Sequence, residues 1–173
     1  MKLVEPEAKD DARAERGDLA GFLPYQLSIA SNAVSALIAE RYRARFALKI
    51  PEWRVIAVLG DTGRKGAARA PAQAMTQREI GKATLMDKVA VSRACKVLEE
   101  RCLIARVPNT DDGRSHLMGL TPEGKAIHEE VMPLARLTES ELFAGFEPAE
   151  REALRAMLGK LHARAEELAS RSL

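Results

Sequence analysis

The sequence predicts a mainly α-helical protein with a small β-wing: a winged helix-turn-helix carrying additional helices at both ends. Three observations carry this. Residues 76–121 read in order as helix, turn, helix, strand, polar tip and strand. A long helix with a repeating apolar file precedes them, and two further helical patterns follow. The formal charge is +2, and it is unevenly placed: residues 1–60 carry +1, residues 61–121 carry +4 and residues 122–173 carry −3. The basic part therefore coincides with the compact central unit, where contact with phosphate would need it.

Residues 1–20 are rich in Glu, Asp, Lys and Ala and lack large apolar side chains over most of their length, so a flexible arm is expected. This start is too acidic and polar for a secretory signal. No apolar run reaches the ~18 to 20 residues that span a bilayer, so a cytoplasmic protein with no membrane partner is expected. From about Gly21 a helix begins. Leu23, Leu27, Ala30, Val34 and Leu37 recur at alternating spacings of four and three, the seam of a helix that packs on a partner. Ile38, Tyr42 and Phe46 form a second file, so this helix must be covered on more than one side. Pro51 suits the first turn of the next helix. Residues 60–74 hold several Gly, Pro and basic residues without hydrophobic period and read as a long flexible loop.

Thr76 and Glu79 form a capping box for a short helix, and Asp87 can cap the one that follows. Val91, Ala94 and Leu98, with Cys95 and Cys102 at the edge, give this second helix its buried side. Lys88, Ser92 and Lys96 form a row opposite, with Arg93 alongside. Such a row is most often a solvated face. Between a capped helix and a hairpin it instead suits a recognition helix, whose N-terminal donors meet base edges and phosphates. Thr76, Gln77, Lys88, Val89, Ser92, Arg93 and Lys96 are the expected DNA contacts on the two helices. Residues 103–107 and 116–120 are short apolar strands around a tip rich in turn formers. Arg114 at this tip suits a narrow minor groove, with Asp112 expected to hold its guanidinium by a bidentate contact. The alternative is a plain surface hairpin with a local ion pair.

Thr121, Pro122 and Glu123 are a helix start, and that helix should run to about Leu142. Pro148 opens a last helix with Leu154, Met157, Leu158, Leu161, Ala165 and Leu168 on one stripe. The two cysteines lie seven residues apart on a predicted helix, about 10 Å along its axis, too far for a disulfide. Both are expected as small buried residues. Three scattered histidines offer no zinc spacing, so no metal and no cofactor are expected. There is no Gly-rich phosphate loop and no supported Ser-His-Asp set, which argues against an enzyme with catalytic residues.

The recognition helix, the wing with Asp112 and Arg114, and the Leu-Thr-Pro-x-Gly sequence at residues 120–124 together resemble the MarR family of bacterial transcriptional regulators. Residues 23–60 are similar to that family's N-terminal dimerisation helix and second helix. The resemblance covers about residues 21–170 and implies one MarR-type domain over residues 21–173. In it, residues 21–50 and 122–173 supply dimerisation helices and about 51–121 the winged unit. It further implies a homodimer on a palindromic double-stranded operator, usually a repressor released by a small aromatic or anionic effector. Two features depart from the family. Cys102 stands where glycine is usual, so that turn is expected to differ in its backbone angles, and the 60–74 loop is long.

All seven aromatic residues lie outside 54–142, which favours an effector pocket near the helical base, although such residues are more often core. Tyr25, Ser28, Asn32, Trp53 and Arg54 are the candidate lining. A thiol-redox regulator and a winged-helix RNA or protein module are the alternatives. The first is disfavoured because the family's peroxide-sensing branch places its Cys near the N-terminal helix and no Cys precedes Cys95 here. The second is disfavoured because readers of single strands need aromatic platforms among basic residues.

Overall fold

The structure, a computed structural model, describes residues 19–61, 74–110 and 112–171. The expected arm up to residue 18 and the body of the expected loop, residues 62–73, lie outside the described residues. The elements are α1 (Leu23–Phe46), α2 (Ile50–Gly60), α3 (Gln77–Thr84), α4 (Lys88–Glu100), β1 (Ile104–Pro108), β2 (His116–Leu120), α5 (Pro122–Leu142) and α6 (Pro148–Arg171). They form two compact units, divided between Val131 and Met132. Among the described residues no helix is long and apolar enough to cross a membrane.

The two apolar files of α1 have separate fates. Tyr42 is buried, with Ile38 and Phe46 partly covered, so the second file packs within the unit. The seam leaves Leu23, Leu27, Ala30 and Val34 exposed, with only Leu37 half-buried. Arg45 pairs with Glu130. The helix ends at Ala47, which takes a left-handed conformation (φ 50°) and donates its N–H to Arg43 O at 2.9 Å. The start of α2 is fixed by Glu52, whose Oε2 accepts the Lys49 N–H at 2.9 Å, and by Pro51 in its first turn.

Helices α2, α3 and α4 pack on one another, and α3 and α4 follow their predicted caps. Trp53, Val55, Ile56, Leu59, Ile80, Val91, Ala94, Cys95 and Leu98 are buried there. The strands pair antiparallel from Ile104 opposite Leu120 to Pro108 opposite His116, one residue later than expected at β1. Met75 adds a bridge to Met118, so the chain entering α3 extends the sheet. At the start of α5, Thr121 Oγ1 accepts the Gly124 N–H at 3.1 Å and donates to Cys102 O at 2.8 Å. A Cβ at Gly124 would lie 1.9 Å from Leu103 O, which is why the Leu-Thr-Pro-x-Gly sequence needs its glycine.

The cysteines correct two expectations. Cys95 is buried, but Cys102 is exposed and lies beyond the end of α4. Its φ of 56° is the left-handed conformation that glycine adopts freely, so the turn keeps glycine-like angles and the side chain bears the strain. In the second unit α6 carries the expected stripe, yet none of its residues is buried.

Candidate nucleic-acid interface

The interface starts from two caps. Thr76 accepts the Glu79 N–H at 3.2 Å, and Glu79 Oε2 accepts both the Thr76 N–H (2.8 Å) and its hydroxyl (2.9 Å). The hydroxyl expected to meet DNA is thus engaged in holding α3 at a fixed entry angle. Asp87 Oδ1 accepts the N–H groups of Val89 and Ala90 at 2.8 Å each, satisfying donors that the first turn of α4 would otherwise leave open. Because Val91, Ala94, Cys95 and Leu98 face the core, helical geometry turns Lys88, Val89, Ser92, Arg93 and Lys96 outward, and all five are exposed. Lys96 Nζ lies 3.9 Å from Glu100, an exposed pair that restrains it weakly.

Between α3, α4 and the wing lies a hollow of about 410 Å³. It gathers Thr76, Gln77, Ser92 and Arg114 from the predicted set, together with Arg78, Arg106 and His116, which the sequence reading missed. Lys88 lines a neighbouring hollow with Gln77 and Arg78. Arg106 makes the bidentate contact in this region, Nε to Glu99 Oε1 at 3.0 Å and Nη2 to Glu99 Oε2 at 3.1 Å. It ties β1 to the last turn of α4. The only sequence signal was opposite charges on either side of a helix-strand turn, too common to single out.

At the wing tip the expected role of Asp112 is corrected. Its Oδ1 accepts the backbone N–H of Arg114 at 3.1 Å, and its carbonyl accepts the Ser115 N–H at 3.0 Å. The buried Asn109 donates to Ser115 Oγ at 2.9 Å. A carboxylate two residues before an N–H closes a local turn more readily than it reaches a long, solvated guanidinium. Asp112 therefore shapes the loop, and the Arg114 side chain lies exposed along the hollow.

The five effector candidates divide by burial. Trp53 is buried between Tyr42 (ring centroids 5.5 Å apart) and His128 (6.1 Å, interplanar angle 25°), a core position. Burial raises the Tyr42 pKa and lowers that of His128. Arg54 is exposed and donates to Ser35 Oγ at 3.5 Å. Tyr25, Ser28 and Asn32 are exposed along the N-terminal half of α1. Burial also pushes the Cys95 thiol up to about 11, with Glu99 adding to it, far from the acidity a reactive thiol needs.

Known proteins share this fold. A family model described as MarR family matches residues 48–115. A MarR family transcriptional regulator from Silicibacter pomeroyi is 30% identical, with 84% of this chain and 98% of that one covered and a TM-score of 0.66. A MarR/EmrR family regulator from Acinetobacter is 26% identical over 87% of this chain and 99% of the other, with a TM-score of 0.75. BpsR of Bordetella bronchiseptica, whose DNA binding is regulated by 6-hydroxynicotinic acid, is 27% identical over 84% and 96%, with a TM-score of 0.70. A comparison with curated proteins found no match.

Proposed function

The chain belongs to the MarR family of transcriptional regulators, and from that premise we propose that it is a repressor acting in the cytoplasm as a homodimer on a palindromic double-stranded operator. The observation that carries this reading is the outward row of Lys88, Val89, Ser92, Arg93 and Lys96 beside a hollow that also takes in Gln77 and Arg114. Helix α4 lies in the major groove. Its lysines meet phosphates, Ser92 and Arg93 meet base edges, and Val89 offers an apolar contact to a thymine methyl. Arg114, on a tip shaped by Asp112, enters the adjoining minor groove. Two such units read half-sites about one helical turn apart. The exposed seam of α1 and the uncovered stripe of α6 supply the surfaces that pair the two copies.

The protein acts by binding, not by catalysis. A small aromatic anion releases it from DNA by favouring a different separation of the two winged units. Regulation of BpsR by 6-hydroxynicotinic acid supports this class of effector. Tyr25, Ser28, Asn32 and Arg54 are its candidate contacts, with Trp53 shaping the floor.

Fluorescence anisotropy on DNA from upstream of the protein's own gene, beside scrambled DNA and at two salt concentrations, tests the reading. Arg114→Ala should weaken operator binding by roughly 1 to 3 kcal/mol and blunt sequence preference. Unchanged affinity would remove the wing from the mechanism. Adding 6-hydroxynicotinate to the same assay should lower the affinity if the effector class is right.

A further inference from the structure

One guanidinium joins three helices of the first unit. Arg101 is the C-cap of α4, its N–H donating to Val97 O at 3.1 Å. Its side chain leaves α4 and grips the end of α1, with Nη2 donating to Phe46 O at 2.7 Å and Nη1 to Ala47 O at 3.2 Å. Nη1 also lies 4.0 Å from Glu52 Oε2, whose side chain is only 6% exposed and which holds the first turn of α2 through the Lys49 N–H. The left-handed turn at Ala47 ends α1 here and leaves its last carbonyls without helical partners. A cation at this point also meets the negative end of the α1 dipole.

We propose that Arg101, oriented by Glu52, is the joint that fixes the angle between α1 and the recognition helix, and so makes operator reading depend on half-site spacing. Both are positioning residues, and neither is among the groups assigned to DNA. The inference rests on the dimeric DNA-binding reading above. Arg106 and Glu99 brace the same last turn of α4 to the wing, so α4 and the hairpin move as one piece and Arg101 sets where that piece sits relative to α1. The planar fork is essential to this role. It spans two successive carbonyls and a carboxylate at fixed angles, whereas a lysine ammonium keeps the charge without the geometry.

The test compares the full-length protein with Arg101→Lys and Glu52→Gln on three duplexes: the operator, the same operator with two base pairs inserted between half-sites, and a single half-site. Wild type should strongly prefer the native spacing, because two rigidly held units cannot both reach separated half-sites. In Arg101→Lys the ratio of affinities for native and widened operators should fall by about fivefold or more, the usual scale of coupling between sites, while half-site affinity stays near wild type. Glu52→Gln should relax the ratio in the same direction by less, and it carries the test alone if Arg101→Lys fails to fold. A uniform loss of affinity with the ratio preserved, or no change at all, would overturn the joint. A wild type that ignores spacing while binding each half-site would remove the dimeric reading and the joint with it. A wild type that binds no duplex would remove the DNA-binding reading itself.

Discussion

The winged unit and the helices that flank it place their apolar residues in opposite ways. In the winged unit Ile80, Val91, Leu98, Leu117 and Met118 are all buried, and its helices α3 and α4 begin at side-chain caps. In α6 nothing is buried, and along residues 23–34 of α1 every side chain is exposed, including Leu23, Leu27, Ile29 and Val34. The winged unit is closed within one chain. Parts of the flanking helices leave apolar side chains exposed, and contiguous surface of that kind marks an interaction site. A change in either region should therefore show up in a different measurement.

The largest effect is expected where the surface is open. Leu27→Glu removes an apolar contact that contributes roughly 1.5 to 3 kcal/mol when fully covered. It also forces a carboxylate to lose water in each copy, which adds to the cost. Self-association should weaken by more than about a hundredfold, with helix content near wild type, since Leu27 is exposed in its own chain. Val34→Glu should act alike. Sedimentation showing an unaltered dimer would place the interface elsewhere and leave the exposed file of α1 without a partner.

The next effect belongs to the closed region. Gly124→Ala puts a Cβ 1.9 Å from the Leu103 carbonyl, and that oxygen belongs to the backbone linking α4 to the wing. Relief requires α5 to shift away from the strand, so a loss of about 1 to 3 kcal/mol is expected, the range for overpacking. Thermal unfolding should record it at unchanged oligomeric state. A variant as stable as wild type would mean that the Thr121 hydroxyl bonds to Cys102 and Gly124 do not pin the start of α5 against the Leu103 carbonyl.

This contrast also explains what could be read from the residues. Thr76 with Glu79, Asp87, Pro51 and Thr121 with Pro122 act over one to three positions, so the starts of four helices were legible, and the fold class with them. The file of α1 showed which face is apolar, because period reports the face; whether the chain itself or another copy covers it lies beyond any local pattern. The misses share a physical cause. Arg101 meets carbonyls 54 and 55 residues away, and no spacing rule anticipates that. Arg106 finds Glu99 only after the chain turns from α4 into β1. Asp112 was expected to reach the Arg114 guanidinium, but the nearer backbone N–H competes successfully. Cys102 continued the helical spacing of Cys95, yet the chain turns left-handed there. Trp53 was a candidate effector contact because every aromatic residue lies outside 54–142; its burial between Tyr42 and His128 depends on contacts 11 and 75 residues away, which no local pattern carries.

The smallest effect is expected at Lys96, where the two regions can be separated most cleanly from DNA contact itself. Its side chain is 78% exposed, and its Glu100 partner is 3.9 Å away and also exposed. Lys96→Ala should leave unfolding within about 0.5 kcal/mol of wild type, because isolated surface pairs contribute little. Sedimentation should likewise be unchanged, since Lys96 lies outside the exposed seam. What changes is the electrostatic part of binding. Each phosphate neutralised by a lysine releases condensed counterions, so loss of that one contact should lower the slope of log affinity against log salt by about 1 and weaken operator and scrambled DNA alike. A loss confined to the operator would instead assign Lys96 to a base edge and rotate α4 in the groove. An unchanged slope would turn that stretch of α4 away from the phosphates, and the DNA-facing row would then narrow to Lys88, Ser92 and Arg93 at its N-terminal half.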